Sequence, residues 1–341
     1  PKPCGEEQIS LNDSRGRVLA RDVIARHNVP YFDRSNYDGY AVRAEDTFGA
    51  QETAPICLNL NSEILSCGVV PQNSVSKGTA TMIATGGVIP RGADAVVMIE
   101  NTLPLDENES GNKAVKILKP VVPTGGISLA GSDIGAGEVI LRVGDRLSYR
   151  ETGTLAALGE EKVWVWKRPK VGIISTGDEL IAPGEKMELG KVYDSNAMVI
   201  THAIEEIGCE PLHFGIIPDN EAQLEKAIRK VMSTDFIILS GGTSKGEGDL
   251  NYRVFEKFSN PGILVHGVSL KPGKPLCLAV LEGTPAAILP GFPASATFTF
   301  TKFINPVLRA MSGLPPQQKT SVNASVPVRI NSDKGRTEFH L

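Results

Sequence analysis

The feature that most constrains the fold is a short apolar run, Phe236–Leu239, which stops at a Ser-Gly-Gly turn. Runs of this kind are typical of strands buried on both faces of a parallel sheet, with a loop at the carboxyl end. Between residues 170 and 313, similar runs alternate with amphipathic segments of helical length. That alternation predicts βαβ units, and therefore an α/β fold with a doubly wound sheet.

The rest of the chain divides into regions of different texture. Residues 46–135 carry short strand-like runs separated by Gly, Pro, Asn and Asp, which predicts a β-rich domain. We expect residues 1–45, together with 136–167, to form an N-terminal linker or elongated domain, and residues 168–315 to form the α/β domain. Residues 321–341 alternate like a strand without a closing partner, so we expect the chain to be a fragment of a longer protein.

Charge and cysteine content exclude several classes of protein. The formal net charge is −4, with 35 basic and 39 acidic residues, whereas nucleic-acid binders usually carry a basic excess. No apolar run reaches the roughly eighteen residues of a membrane helix, and residues 1–20 lack the pattern of a signal peptide. We therefore expect a cytoplasmic protein without a membrane partner. The five cysteines include no CxxC pair, which argues against disulfides and a zinc site.

Several polar loops are expected to meet at one edge of the predicted sheet, because the carboxyl ends of parallel strands lie together. The loops are 175–180, 218–220, 240–249, 270–275 and 289–295. They offer Gly, Ser and Thr as anion donors, two lysines as cations, and carboxylates as ligands for a hard metal. Together they predict a basin for a pyrophosphate or another oxyanion bridged by Mg²⁺.

Each loop taken alone has a simpler interpretation. Asp219 could cap the helix that follows it, and Lys271 and Lys274 could lie on a solvated turn. The sequence contains no P-loop and no dinucleotide-binding fingerprint, so phosphate binding here needs a different loop design. Three histidines fall on predicted helix or strand bodies and are expected to be structural: His202, His213 and His266.

The motifs SNYDGYAV, ATGGVIPRGADAVV, STGDEL, YDSN, SGGTSKGEGD, LKPGKP and LPGFPASA occur in that order along the chain. This order resembles the molybdopterin molybdenumtransferase family, which includes bacterial MoeA and the E domain of gephyrin, over roughly residues 9–341. The resemblance implies a MoCF-type molybdopterin-binding domain and, after residue 316, the start of a C-terminal β domain. It also implies a homodimer that inserts molybdenum from molybdate into adenylylated molybdopterin and releases AMP, with a divalent metal such as Mg²⁺.

The resemblance further implies that the active site lies where the β-rich domain of one subunit faces the α/β domain of the other. The residues implied for catalysis are Asp38, Asp133, Glu179, Asp219, Asp249, Lys271 and Lys274. The residues implied to hold the metal are Glu179, Asp219 and Asp249. Those implied to bind the cofactor are Thr85, Ser175, Thr176, Gly177, Ser240, Gly241, Gly242, Ser244, Gly246, Pro290, Gly291, Pro293 and Ser295.

The chain departs from the family's pattern at a few positions. The family usually has arginines just before an acidic GEDI motif, whereas this chain has no arginine in 127–131 and has Ser132 in place of the glutamate. Phe292 stands where Asn is common, and Lys245 replaces a small apolar residue. We hypothesise that Lys245 partly restores the missing positive charge.

These departures leave alternatives open. One is a paralogue that uses tungstate, and another is a non-catalytic protein that binds the cofactor or serves as a scaffold. A related adenylyltransferase is a third alternative, but the DGYA motif and the β-rich region argue against it. The resemblance also raises contact with a molybdopterin adenylyltransferase as a hypothesis.

Overall fold

The computed structural model describes residues 1–106, 113–241, 250–318, 320–325, 327, 329 and 335–339. None of the helices in these ranges is long and apolar enough to cross a membrane. The chain forms two compact units. The first comprises Pro1–Arg21, Arg142–Gly153 and Glu161–Leu341, and the second comprises Asp22–Leu141 and Thr154–Glu160.

The strands and helices have the following bounds. The strands up to residue 141 are β1 Glu6–Ser10, β2 Val23–Ile24, β3 Arg34–Ser35, β4 Gly39–Val42, β5 Ile56–Leu65, β6 Thr79–Ile83, β7 Ala95–Met98, β8 Thr102–Leu105, β9 Ala114–Ile117, β10 Ile127–Ser128 and β11 Val139–Leu141. The later strands are β12 Lys162–Trp166, β13 Lys170–Thr176, β14 Leu180–Ile181, β15 Val192–Tyr193, β16 Glu210–Ile217, β17 Phe236–Ser240, β18 Gly262–His266, β19 Leu270–Lys271, β20 Cys277–Leu281, β21 Thr284–Leu289 and β22 Thr337–Glu338. The α-helices are α1 Tyr149–Ala157, α2 Ser195–Ile207, α3 Glu221–Val231, α4 Leu250–Glu256, α5 Pro293–Thr299 and α6 Asn305–Met311, and a π-helical turn, Phe300–Ile304, joins the last two.

The first unit contains a six-stranded mixed sheet in the order β16-β13-β17-β21-β20-β18. Its first four strands are parallel, and their register places Ser175 opposite Ser240, and Ser240 opposite Leu289. The predicted βαβ pattern is therefore correct for these four strands. The other two strands, β20 and β18, run antiparallel, and β20 forms a hairpin with β21.

Alternating side chains give this sheet a core on each face, because successive residues of a strand point to opposite sides. On one face, Ile238 packs in a cluster with Ile204 of α2 and Leu308 of α6. On the other face, Leu239 packs in a cluster with Phe255 of α4. All residues of β17 are buried, which explains why the run 236–239 is apolar without alternation.

Side-chain caps fix where two helices of this unit begin. The Asp194 carboxylate accepts a hydrogen bond from the Ala197 backbone N–H at the start of α2. At the start of α3, the Asn220 side chain accepts from the Gln223 N–H. Capping of α3 by Asp219, considered from the sequence, is therefore wrong, and the Asp219 carboxylate is available for another role.

The second unit is β-rich, as predicted. Its main sheet has six strands in the order β7-β4-β6-β5-β9-β8, and its buried cluster includes Tyr40, Leu58 and Ile117. The sheet includes Gly39–Val42, which the predicted boundary at residue 46 leaves outside.

Two short pairings, β1 with β12 and β2 with β11, join parts of 1–45 to parts of 136–167.

The described residues after 315 contain one short strand, β22, which pairs with β19 of the first unit. A C-terminal β domain beginning at residue 316 stays a prediction, as do the domain boundaries.

Candidate functional site

The carboxyl ends of the four parallel strands place four of the predicted loops side by side. The loops follow Thr176, Ile217, Ser240 and Leu289, which are adjacent in the strand register. Because β20 runs antiparallel to β21, the 270–275 loop that leads into β20 lies at the same edge. The chain thus brings its predicted polar loops to one edge of one sheet, where open α/β sheets bind ligands.

Two buried asparagines bind these loops together. The Asn251 side-chain N–H₂ donates to Thr176 Oγ1 at 3.0 Å and to the Gly241 carbonyl at 2.8 Å, which links the ends of β13 and β17. The Asn196 N–H₂ donates to Ser240 Oγ at 3.0 Å and to the Gly291 carbonyl, which links β17 to the loop after β21. Sequence reasoning named neither asparagine as a site residue, although Asn196 lies in the YDSN motif.

The close approach of these loops depends on a glycine at position 241. Gly241 has φ +119°, and a Cβ at this position would lie 2.1 Å from the Thr176 carbonyl oxygen. Only a residue without a side chain fits there. The hydroxyl-bearing residues around it, Ser175, Thr176 and Ser240, are buried, and the hydroxyls of Thr176 and Ser240 accept hydrogen bonds from the two asparagines.

Three carboxylates lie at the ends of β13 and β16. The Asp219 backbone N–H donates to Asp178 Oδ1 at 3.1 Å, and Glu179 folds its carboxylate back over Gly177. Burial raises the pKa of Asp219 above its ordinary value, and the charges of Asp178 and Glu179 raise it further. A cation lies close by, because Lys191 Nζ donates to the Asp178 carbonyl oxygen at 2.6 Å. Sequence reasoning did not assign a role to Asp178 or Lys191.

The predicted metal ligands are only partly placed by the structure. In the described part of the chain, no group of three His, Cys, Asp or Glu side chains converges closely enough to hold a metal ion. Glu179 and Asp219 are near one another, but Asp249 lies outside the described residues. The cofactor-binding predictions Gly242, Ser244 and Gly246, and the hypothesis about Lys245, also lie outside them.

The two lysines of the 270–275 loop are both exposed. Lys271 Nζ lies 2.9 Å from Glu338 Oε1 on the neighbouring strand β22, while Lys274 accepts a backbone hydrogen bond from Val268 through its carbonyl oxygen. In the 289–295 loop, Pro290 is buried, whereas Pro293 and Phe292 are exposed. The Ser295 carbonyl accepts a bond from Thr299 within α5, so its backbone is part of that helix.

An apolar-walled cavity of about 190 Å³ adjoins the edge between β13, β16 and α2. Ser175 and Asp194 supply polar groups to its wall, and Met198 and Pro183 supply apolar surface. His213 also lines it, with Nε2 2.8 Å from Thr201 Oγ1, so this histidine on a strand body has a structural partner. A wider opening of about 650 Å³ continues outward over Pro183, Tyr193 and Val199.

The second unit holds the other predicted residues. Asp38 Oδ1 accepts from the Thr85 backbone N–H at 2.7 Å and from the Thr85 hydroxyl at 3.0 Å. These bonds, the backbone one first, lower the pKa of Asp38 below its ordinary value, so the carboxylate is ionised at neutral pH. Asp133 lies 3.8 Å from Arg34 Nη2. The arginines expected just before Asp133 are absent from the sequence, but Arg34, from a distant part of the sequence, lies next to the Asp133 carboxylate.

Comparisons with known proteins agree with the geometry of both units. Residues 2–159 match the family described as MoeA N-terminal region (domain I and II), and residues 172–310 match the family described as probable molybdopterin binding domain. A molybdopterin molybdenumtransferase from Haemophilus influenzae is 34% identical over 341 residues, covering 99% of this chain and 81% of that protein. The chain belongs to the molybdopterin molybdenumtransferase family. The predicted family is thereby confirmed.

Further relatives of the molybdopterin molybdenumtransferase family support the assignment. A molybdopterin molybdenumtransferase from Bacillus subtilis is 37% identical over 305 residues, covering 89% of this chain and 70% of that protein. The solved structure of a molybdopterin biosynthesis MoeA protein from Pyrococcus horikosii matches with a TM-score of 0.82 at 36% identity, covering 92% of this chain and 76% of that chain. The predicted fold class is confirmed, and these relatives do not favour the tungstate or scaffold alternatives.

Proposed function

We propose that this protein is a molybdopterin molybdenumtransferase, which transfers molybdenum from molybdate into adenylylated molybdopterin with release of AMP. The observation that carries the proposal is the shared sheet edge, to which the loops with three carboxylates and the loop with two lysines both belong. Both substrates are oxyanions, and such an edge suits them. The names of the relatives support the same reaction.

Oxyanion binding is assigned to the 270–275 loop and to the ends of β17 and β21. Lys271 and Lys274 are exposed and supply positive charge, and the loops that Asn196 and Asn251 hold together present backbone and hydroxyl groups. The adjoining cavity, with Ser175 and Asp194 on its wall, is the place we assign to the uncharged ring system of the pterin.

We assign the carboxylates to the binding of a hard cation. Asp178, Glu179 and Asp219 repel one another, as the raised pKa of Asp219 indicates, and oxygen ligands of this kind suit a hard cation. We therefore propose that Glu179, Asp219 and Asp249 hold Mg²⁺. When bound, it would neutralise charge on phosphate oxygens as the phosphoanhydride breaks.

We also propose a homodimer in which the second unit contributes to the site of its partner subunit. In that arrangement, Asp38, Thr85 and Asp133 would complete the active site from across the interface. The lowered pKa of Asp38 keeps it charged as an acceptor or metal ligand. A cytoplasmic location and contact with a molybdopterin adenylyltransferase stay predictions.

The reaction is tested directly with the purified chain, adenylylated molybdopterin, molybdate and Mg²⁺. We expect AMP release that needs all three additions and falls at least about 100-fold in Lys274→Met, because an oxyanion contact is lost. Lys226→Met, which removes an exposed lysine from α3, is the matched control and should retain full activity. No AMP release under these conditions refutes the proposal, and tight pterin binding without turnover would favour a binding protein.

The dimer is tested by subunit complementation. Asp38→Asn and Lys274→Met are each expected to be inactive, because each removes a residue assigned to the site. The mixture should regain about a quarter of the wild-type rate, since random pairing makes half of the dimers mixed and each mixed dimer has one intact site of two. Full inactivity of a mixture that has exchanged subunits would rule out a shared site.

A further inference from the structure

A short additional strand, β22 (Thr337–Glu338), lies against the 270–275 loop, which contains Lys271 and Lys274. Strand β22 pairs in parallel with β19, with Leu270 opposite Thr337 and Lys271 opposite Glu338. The Thr337 N–H donates to the Ser269 carbonyl at 3.1 Å, and the Phe339 N–H donates to the Lys271 carbonyl at 2.9 Å. The backbone of this segment is therefore fixed directly beside a residue proposed to bind oxyanions.

Phe339 fixes the same segment at a second point. Its ring stacks on Phe298 of α5 with centroids 5.4 Å apart, and Lys302 Nζ lies 4.4 Å from its ring centroid. Helix α5 begins at Pro293, in the loop at the end of β21. The segment thus contacts β19 of the 270–275 loop and helix α5, which begins in the loop after β21. These backbone and ring contacts hold Glu338 in place in addition to its ion pair with Lys271.

Glu338 and Lys271 have opposite degrees of exposure. The Glu338 side chain is 4% exposed, whereas the Lys271 side chain is 52% exposed, and their charged atoms are 2.9 Å apart. A lysine with this exposure can reach a ligand from solvent while it remains next to the carboxylate. An anion that binds Lys271 therefore meets an attractive charge and, within a few ångströms behind it, a repulsive one.

We propose that Glu338 is a built-in counter-ion that weakens oxyanion binding at Lys271 and so determines the affinity of the site for molybdate. The inference rests on the proposed function for the identity of the anion. The carboxylate neutralises part of the lysine's charge, so a bound oxyanion is held loosely enough to leave. Glu338 acts through Lys271 and sets the affinity of the site for the oxyanion.

The test is molybdate binding by calorimetry to the purified chain and to Glu338→Gln, which keeps the shape and the strand pairing but removes the charge. We expect Glu338→Gln to bind molybdate about tenfold more tightly, which corresponds to about 1.4 kcal/mol. Glu338→Asp keeps the charge and should bind within about twofold of wild type. Glu210→Gln removes an acid at the opposite end of the sheet, at the start of β16, and should leave the affinity unchanged.

The dependence on the lysine is tested in a second background. In Lys271→Met, the Gln substitution should change molybdate affinity less than about twofold, because the charge that Glu338 neutralises is gone. Equal or weaker binding by Glu338→Gln overturns the inference, and so does the absence of binding in both proteins. AMP release by the wild-type chain is measured in parallel: its absence would refute the proposed function, whereas release with unchanged affinity in Glu338→Gln would refute only the role of Glu338.

Discussion

Asn196 gives the sharpest test of how the site is held together. Its side chain is 8% exposed, its N–H₂ group donates to Ser240 Oγ and the Gly291 carbonyl, and its Oδ1 has no partner among the described residues. Asn196→Ala removes two hydrogen bonds worth about 1 kcal/mol each and leaves the buried Ser240 hydroxyl and the partly buried Gly291 carbonyl without this donor. We expect the free energy of unfolding of the first unit to fall by about 2–4 kcal/mol.

Asn196→Asp separates hydrogen bonding from packing. The side chain keeps its shape, but an oxygen replaces the donor nitrogen and faces the Gly291 carbonyl, which cannot donate. A buried unpaired carboxylate costs about 3–5 kcal/mol at pH 7.5, so this variant should be less stable than Asn196→Ala. Folding raises the pKa of such an acid, so the folded state holds the proton more tightly and stability recovers as the pH falls toward 5.

The assay is urea unfolding followed by tryptophan fluorescence. Both tryptophans of the chain, Trp164 and Trp166, lie on β12 in the same unit as Asn196, so the signal reports that unit. The exposed Asn323→Ala is the control and should change stability by less than about 0.5 kcal/mol. A loss below about 0.5 kcal/mol in Asn196→Ala, or a pH-independent Asn196→Asp, would refute the proposed role of these bonds.

Three further predictions concern single residues. Asp219→Asn should raise stability by about 0.5 kcal/mol at pH 7.5, a value kept small by solvent screening. Because folding raises the pKa of Asp219, the ionised carboxylate destabilises the folded protein as the pH rises through this pKa. The stability gained by Asp219→Asn should therefore shrink toward pH 4 in thermal melts. Destabilisation by Asp219→Asn at pH 7.5 would contradict this prediction. Gly241→Ala should lower the free energy of unfolding by about 3 kcal/mol or more, measured by urea unfolding. Gly184 has φ +97° but no atom within 4 Å of an added Cβ, so Gly184→Ala should lower it by only about 1 kcal/mol. Equal losses in the two variants would count against the packing argument. At pH 8 the exposed Cys57 should react with a thiol reagent within minutes, whereas Cys209 should react only after unfolding, because burial raises the pKa of Cys209 to about 11; rapid reaction of both would contradict this.

The missing arginines illustrate a limit of local sequence reasoning. The segment before Asp133 lacks the expected cations, yet Arg34 lies 3.8 Å from the Asp133 carboxylate in the folded chain. The backbone pairing of β3 with β10, with Arg34 opposite Ser128, brings the arginine there. Charge that is absent from one motif can therefore be supplied by another strand, and a motif taken alone does not give the local charge.

The sequence by itself determined the βαβ pattern of the four parallel strands between residues 170 and 313, and with it the loops at the carboxyl edge. These features follow from local patterns: buried strands are apolar throughout, capping residues start helices, and parallel strands end at the same edge. The positions of His202, His213 and His266 on helix and strand bodies were predictable from the same local patterns.

Only the tertiary structure decided which side chains meet at that edge. The bonds from Asn196 and Asn251, the raised pKa of Asp219, and the pairing of Lys271 with Glu338 each join residues that are far apart in the sequence. Hydrogen bonds and ion pairs act over about 3–4 Å, so they depend on how strands and loops pack and not on any periodicity of the chain. The sequence thus predicted which loops share the edge, and the packing of the sheet edge determined which hydrogen bonds and ion pairs form there.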